Sequence, residues 1–141
     1  MDSEERGIIH FRDRARQINN FSKLRYCRGI TPTDIDGAFE FDGKMFIFFE
    51  LKYREKDIDT GQRLFFERIC NALNKSGKHC LCIHAKHEIG DFTKDVNADE
   101  CTVVKYYARS GKWIIPKQET TVHSLVNSYI LQFGNKDWLV R

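Results

Sequence analysis

The chain has 141 residues, 41% of them apolar and 30% charged, with a formal net charge of +3; that is enough apolar content for one core and excludes a disordered or fibrous polypeptide. Its longest apolar run, Met45–Phe49, falls far short of the roughly twenty residues a spanning helix needs, so no membrane partner is expected. The acidic start Met1-Asp2-Ser3-Glu4-Glu5-Arg6 lacks the basic-then-apolar pattern of a secretory leader, and the cytosol is the expected compartment, with Cys27, Cys70, Cys80, Cys82 and Cys101 as free thiols.

No repeat and no low-complexity linker interrupts the chain, so residues 1–141 are expected to form a single domain. From Ser3 to about Leu24, Ile8, Phe11, Ala15, Ile18 and Phe21 recur at steps of three and four, which predicts an amphipathic helix with Ser3 as its cap. Thr31-Pro32-Thr33 excludes helix. Ile35–Phe41 and Met45–Tyr53, rich in aromatic and branched side chains, flank Asp42-Gly43-Lys44 and predict a hairpin. Asp59 or Thr60 can cap a helix with Leu64, Phe65, Ile69, Ala72 and Leu73 on one face, stopping near Ser76-Gly77. A strand over His79–Ala85, a loop over His87–Glu100, a second hairpin of Thr102–Ala108 and Lys112–Ile115, and a helix over Thr121–Phe133 complete the chain. The fold class expected is α/β, a mixed central sheet of about five strands flanked by helices.

Charge alternates along the chain. Residues 1–30, 52–78 and 101–141 are net basic, whereas 31–51 and 79–100 are net acidic. An acidic island between basic stretches suits a metal site inside a phosphate-binding surface, and equally a mixed solvated surface. The informative residues are Glu50 and Lys52, because an acid and a lysine at the end of so apolar a strand are costly unless compensated. They project from one face, as do Asp34 and Asp36 on the preceding strand. A two-residue Asp42-Gly43 loop would set Asp36 opposite Phe49 and disperse the charges. A three-residue loop with a bulge pairs Phe41 with Met45 and sets Asp36 opposite Glu50. Carboxylates so opposed repel unless a cation lies between them, and hard oxygens favour Mg2+ or Mn2+.

Asp36 followed by Glu50-Leu51-Lys52 resembles the motif of the PD-(D/E)xK nuclease superfamily, which includes many restriction enzymes and Holliday junction resolvases; the resemblance covers roughly residues 31 to 85. Asp42-Gly43-Lys44 has the same acid-x-Lys form but lies in a turn, and the family's proline-aspartate pair is matched loosely by Pro32 with Asp34 or Asp36. The resemblance implies a restriction-endonuclease-like core and a Mg2+-dependent nuclease acting on DNA, RNA being left open, with branched or flapped structures as candidate substrates. It implies that Asp36, Glu50 and the Leu51 carbonyl hold the metal, with Mn2+ as a substitute. It further implies that Lys52 orients or helps deprotonate the attacking water, and that Gln62, at the start of the second helix, reaches toward the metal or the attacked phosphate. Glu4 is a weaker addition from the first helix.

Structural explanations stand beside these. Asp36, Glu50 and Lys52 could be a cross-strand salt bridge, Asp34 an Asx-type cap after Pro32, which is the preferred reading of that residue, and Gln62 an exposed first-turn residue. Cys80, Cys82 and His84 share a strand face and invite a zinc reading with His79 and His87, but burial as ordinary core thiols is favoured. Arg12, Arg14, Arg16, Lys23, Arg25, Arg28, Arg54, Lys56, Arg63 and Arg68 could hold a phosphate backbone or simply be solvated, and Tyr106, Tyr107 and Trp113 are read as core. No nucleotide-binding glycine motif or serine-hydrolase order is present. The rival function is a catalytically inactive nuclease-fold protein that binds nucleic acid or a protein partner. A homodimer would add specificity through the spacing of two sites.

Overall fold

The computed structural model describes residues 7–15 and 17–140. The chain falls into two compact units, Met1–Pro32 and Thr33–Arg141.

In the first unit the long amphipathic helix expected over residues 3 to 24 is not formed among the described residues. Helix α1 is a single turn, Arg12–Ala15, and a 3-10 turn follows at Cys27–Gly29. Ile8, Phe11 and Ile18, which would have made the apolar face, are exposed. Helix propagation needs either length or a packed face, and here local hydrogen bonding competes: Asn20 Oδ1 accepts from Ser22 N–H at 3.1 Å and from Ser22 Oγ at 2.7 Å. Glu4 and Arg16 lie outside the described residues.

The second unit is α/β, with a mixed five-stranded sheet between helices. Strands β1 (Gly37–Phe41), β2 (Met45–Tyr53), β3 (His79–His87), β4 (Thr102–Tyr107) and β5 (Trp113–Ile114) lie side by side in chain order. The β2–β3 pair is parallel and the other pairs are antiparallel. Helix α2 (Thr60–Lys75) is the crossover between the parallel strands, and α3 (Val122–Phe133) follows β5. Among the described residues, no helix is long and apolar enough to cross a membrane.

Period-two alternation sorts the side chains between two packed layers. Cys80 and Cys82 of β3 pack with Phe66 and Cys70 of α2, Tyr107 and Trp113. Leu81, Ile83 and Ala85 pack with Met45 and Ile47 of β2, Val103 of β4, and Val122, Val126, Tyr129 and Ile130 of α3. Strand β3 is therefore buried on both faces from Cys80 to Ala85; each large apolar side chain there contributes about 1.5–3 kcal/mol of burial free energy.

The β1–β2 turn takes the three-residue form. Phe41 pairs with Met45, Lys44 N–H donates to the Phe41 carbonyl at 2.8 Å, and Asp42 and Gly43 both have left-handed φ, 52° and 66°. Trp138 of the C-terminal 3-10 turn clamps this hairpin, stacking on Phe41 at 5.1 Å and donating Nε1–H to Asp42 Oδ2 at 2.8 Å. Strand β1 begins at Gly37, later than the expected Ile35. Gly37 pairs with Phe49, whose ring lies where a Cβ at Gly37 would fall, so glycine is required by that close approach.

Candidate functional site

The parallel β2–β3 pair gives the sheet a distinct end, since in α/β sheets the carboxyl ends of parallel strands, together with the N-terminus of the crossover helix, form the usual ligand crevice. Here that end carries charge. Continuing the β1–β2 register one step beyond Gly37 and Phe49 sets Asp36 against Glu50. Two bonds join the segments: Asp36 N–H donates to Glu50 Oε2 at 3.1 Å, and Leu51 N–H, next to Glu50, donates to Asp36 Oδ2 at 2.7 Å. Lys52 Nζ lies 3.3 Å from Glu50 Oε1. Three of the residues expected from the sequence, Asp36, Glu50 and Lys52, thus meet, and the Leu51 backbone is bound to one of them.

Burial is uneven across the group. Asp36 is exposed, Lys52 half-buried and Glu50 only 6% exposed. Desolvation and the negative charge of Asp36 raise the Glu50 carboxyl above its usual range, outweighing the Lys52 ammonium and the Asp36 amide, which pull it down. Two neighbouring carboxylates offer the oxygen donors that a hard divalent cation takes. Asp36, Glu50 and the Leu51 carbonyl are the groups that would hold it.

Gln62 lies at the start of α2, as expected, and its side chain is engaged there. It is the N3 residue of a capping box at the start of α2: Asp59 Oδ1 accepts from Gln62 N–H at 2.7 Å, and Gln62 Oε1 accepts from Asp59 N–H at 3.2 Å. Its remaining donor, Nε2, reaches the Asp34 carbonyl at 3.0 Å. Gln62 is buried, not the exposed first-turn residue of the structural explanation, and it ties the helix to the segment leading into Asp36. Asp34 does not act as an Asx cap. It is exposed, its carboxylate makes no hydrogen bond among the described residues, and its backbone carbonyl makes the contact with Gln62.

His84, which the sequence placed with the thiols, belongs to this polar row. The parallel register starts at Met45 opposite His79, so Glu50 and His84 are partners. A register shift between His84 and Ala85 makes Lys105 the partner of His84 on the other side. The row Glu50, His84, Lys105 crosses the three adjacent strands β2, β3 and β4, with Asp36, just ahead of β1, at one end, and Asp57, from the segment before α2, stands beside its far end, 3.6 Å from His84 Nδ1 and 3.1 Å from Lys105 Nζ. Desolvation lowers the His84 pKa despite the Asp57 carboxylate, so the buried ring is held neutral. The signal that could have found His84 is its offset: it stands as far into β3 as Glu50 stands into β2.

The thiols gather elsewhere on the same face of the sheet. The Sγ atoms of Cys70, Cys80 and Cys82 all lie within 4.8 Å of one another, fully buried under α2, with no His84 nitrogen among them. Cys70 Sγ lies 3.3 Å from the Cys80 carbonyl and accepts from Asn74 Nδ2 at 3.3 Å, and the Cys82 thiol donates to the Phe66 carbonyl at 3.5 Å. These are the contacts of core thiols. Contacts from the Cys80 and Cys82 thiols and from Asn74 make Cys70 the most acidic of the three, while burial pushes Cys82 up. Tyr107 and Trp113 are also committed to the core, Tyr107 Oη donating to Asn71 Oδ1 at 2.9 Å and Trp113 Nε1 to Glu67 Oε2 at 2.8 Å. Of the basic residues in this unit, Arg63 pairs with Glu67 at 3.1 Å and Arg54 with Glu88 at 3.4 Å.

No family model, no curated protein and no solved structure matches the chain.

Proposed function

We propose that the protein is a metal-dependent nuclease that hydrolyses DNA phosphodiester bonds on a restriction-endonuclease-like core, with Asp36, Glu50 and Lys52 at its centre. The observation that carries the reading is the meeting of Asp36 and Glu50 at the end of an apolar hairpin: Glu50 accepts from the Asp36 amide and Asp36 from the neighbouring Leu51 amide, which sets a buried carboxylate beside a second one. The order of hairpin, crossover helix and parallel strand agrees with the core that the motif implies.

In this reading Asp36 and Glu50, with the Leu51 carbonyl, hold Mg2+ or Mn2+. The bound ion would make its water a better nucleophile and offset charge developing on the attacked phosphate. Lys52, anchored by Glu50, orients that water and supplies positive charge beside it. Gln62 is a positioning residue: by bonding the Asp34 carbonyl it fixes the segment that delivers Asp36. Nothing in the second unit forms a separate sequence-reading module, which favours recognition of DNA shape or backbone, with branched or flapped structures as candidates.

The test is cleavage of single-stranded, duplex, flapped and four-way-junction DNA, with a matching RNA, in Mg2+, Mn2+ or EDTA. Cleavage that needs the metal and is lost in Glu50→Ala and Lys52→Ala supports the reading. Intact substrates under every condition, with the protein folded and metal present, would sink it.

A further inference from the structure

His84 is 2% exposed, and neither of its ring nitrogens has a hydrogen-bond partner. Buried polar side-chain atoms are paired in the large majority of cases, and among the described residues only Asn74 Oδ1 shares this condition. What faces Nδ1 is a carboxylate oxygen of Asp57 at 3.6 Å, too long for a hydrogen bond; the same oxygen accepts from the Ile58 N–H at 2.8 Å and sits 3.1 Å from Lys105 Nζ, and the Lys56 backbone faces the ring as well. Lys105 is itself fixed over the Trp113 ring, 5.2 Å from its centroid. Asp57, by contrast, has a side chain 68% exposed, on the segment that leaves β2 through the left-handed residue Arg54. A buried imidazole and an ammonium are thus covered by one exposed carboxylate that bonds its neighbouring backbone amide and the ammonium but leaves the ring without a hydrogen bond.

We propose that His84 and Lys105 form a phosphate subsite beside the Asp36–Glu50 pair, which Asp57 fills as a stand-in anion until a backbone phosphate of the nucleic acid takes its place. The inference rests on the nuclease reading for the identity of the molecule carrying the phosphate. The chemistry suits the exchange. A phosphodiester offers several oxygens on one centre and can accept from Nδ1–H and from the ammonium at once, whereas Asp57 reaches only the latter. An exposed ion pair is weak, and the bond from Ile58 N–H is local to the Asp57 turn, so the pairing with Lys105 is the part a phosphate exchanges. The β2–β3 register puts the subsite one strand from Glu50, the step between neighbouring strands being about 4.8 Å, so a phosphate there would lie next to the hydrolytic centre.

The experiment is done in EDTA, which keeps metal bridging out of the measurement. Binding of a fluorescent single-stranded DNA 20-mer is followed by anisotropy, and inorganic phosphate is titrated while the His84 ring signals are recorded by NMR. Asp57→Asn should tighten DNA binding about fivefold and Lys105→Ala should weaken it about fivefold, with the slope of log K against log salt reduced by about one in the latter. Glu55→Gln removes the same charge two residues away, from a side chain 87% exposed, and should shift binding by less than about twofold. The His84 signals should move with phosphate in the wild type. Equal tightening by Asp57→Asn and Glu55→Gln, together with unmoved His84 signals, overturns the subsite and leaves Asp57 an ordinary surface ion-pair partner. Metal-dependent cleavage run in parallel separates the two readings. Cleavage lost in Glu50→Ala with silent His84 signals rejects the subsite alone; responsive His84 signals without cleavage of any substrate reject the nuclease alone.

Discussion

Neutralising Glu50 should act in opposite directions with and without metal. Without metal, the Glu50 carboxyl has a folded pKa raised by burial and by Asp36. A group raised in the folded state binds more protons folded than unfolded, so its contribution to stability is complete below the unfolded value near 4.5 and is lost as pH rises through the folded value. At pH 7.5 in EDTA, Glu50→Gln should therefore melt at or above the wild type. With metal the order reverses. At a free Mg2+ or Mn2+ concentration ten times its Kd, linkage adds about 1.4 kcal/mol to the wild type, which corresponds to a rise of about 5 °C in Tm for a domain of this size. Glu50→Gln and Asp36→Asn should rise by less than about 1 °C under the same conditions, because each loses a charged donor. Thermal melts in EDTA and across a metal titration, at constant ionic strength, make the measurement. A metal-induced rise shared equally by wild type and both variants, or a Glu50→Gln protein that melts several degrees below wild type in EDTA, would refute the assignment of a cation to this pair.

The buried, neutral His84 gives a pH dependence of the opposite sign. Its folded pKa lies below the ordinary 6.5, so the stability it contributes is complete above that value and is lost as pH falls from it toward the folded pKa; Tm should drop over that interval, and His84→Gln should flatten the drop. Gln62→Ala removes the side chain that completes the capping box and bonds the Asp34 carbonyl, and should cost about 1–2 kcal/mol in urea unfolding. If Gln62 touches the reacting phosphate instead, Gln62→Ala will abolish cleavage while leaving the urea midpoint unchanged. Cys27 is exposed and the other four thiols are buried, so a thiol reagent should modify one cysteine rapidly in the native protein and the rest only after denaturation, despite the acidity of Cys70.

The parts of the second unit that the sequence revealed are those governed by local chemistry. Asp42-Gly43 demands left-handed backbone and so announces the turn, but Met45–Phe49 is apolar at every position and leaves the two-residue and three-residue forms both open; the structure takes the one that joins Asp36 to Glu50. Asp59 with Gln62 is a capping box legible three residues apart, although the third bond of Gln62, to Asp34, depends on tertiary folding. The first unit shows the limit of periodicity: Ile8, Phe11 and Ile18 have helical spacing, yet they are exposed, and the Asn20–Ser22 turn competes successfully. His84 and Lys105 were hidden for another reason. Their meeting depends on an irregularity between β3 and β4 that shifts pairing from Val103 at Ala85 to Lys105 at His84, which no short sequence pattern announces.

The charge of the site bears on the choice between the proposed nuclease and an inactive protein that would bind nucleic acid through the same face. Asp36 and Glu50 ionised, with one lysine, leave a net negative centre, and such a centre repels a phosphate backbone. Lys52 cannot reverse this, since its ammonium is already paired with Glu50 at 3.3 Å. A divalent cation turns the same three side chains into a centre of net charge +1, the complement of one phosphodiester. A protein that used this surface only to bind nucleic acid would gain affinity by replacing Glu50 with glutamine, which removes the repelling charge and keeps an acceptor for the Asp36 amide. In the proposed reading, a cation held between the two members beside Lys52 would offset that cost and supply the charge that hydrolysis of a bound phosphate uses.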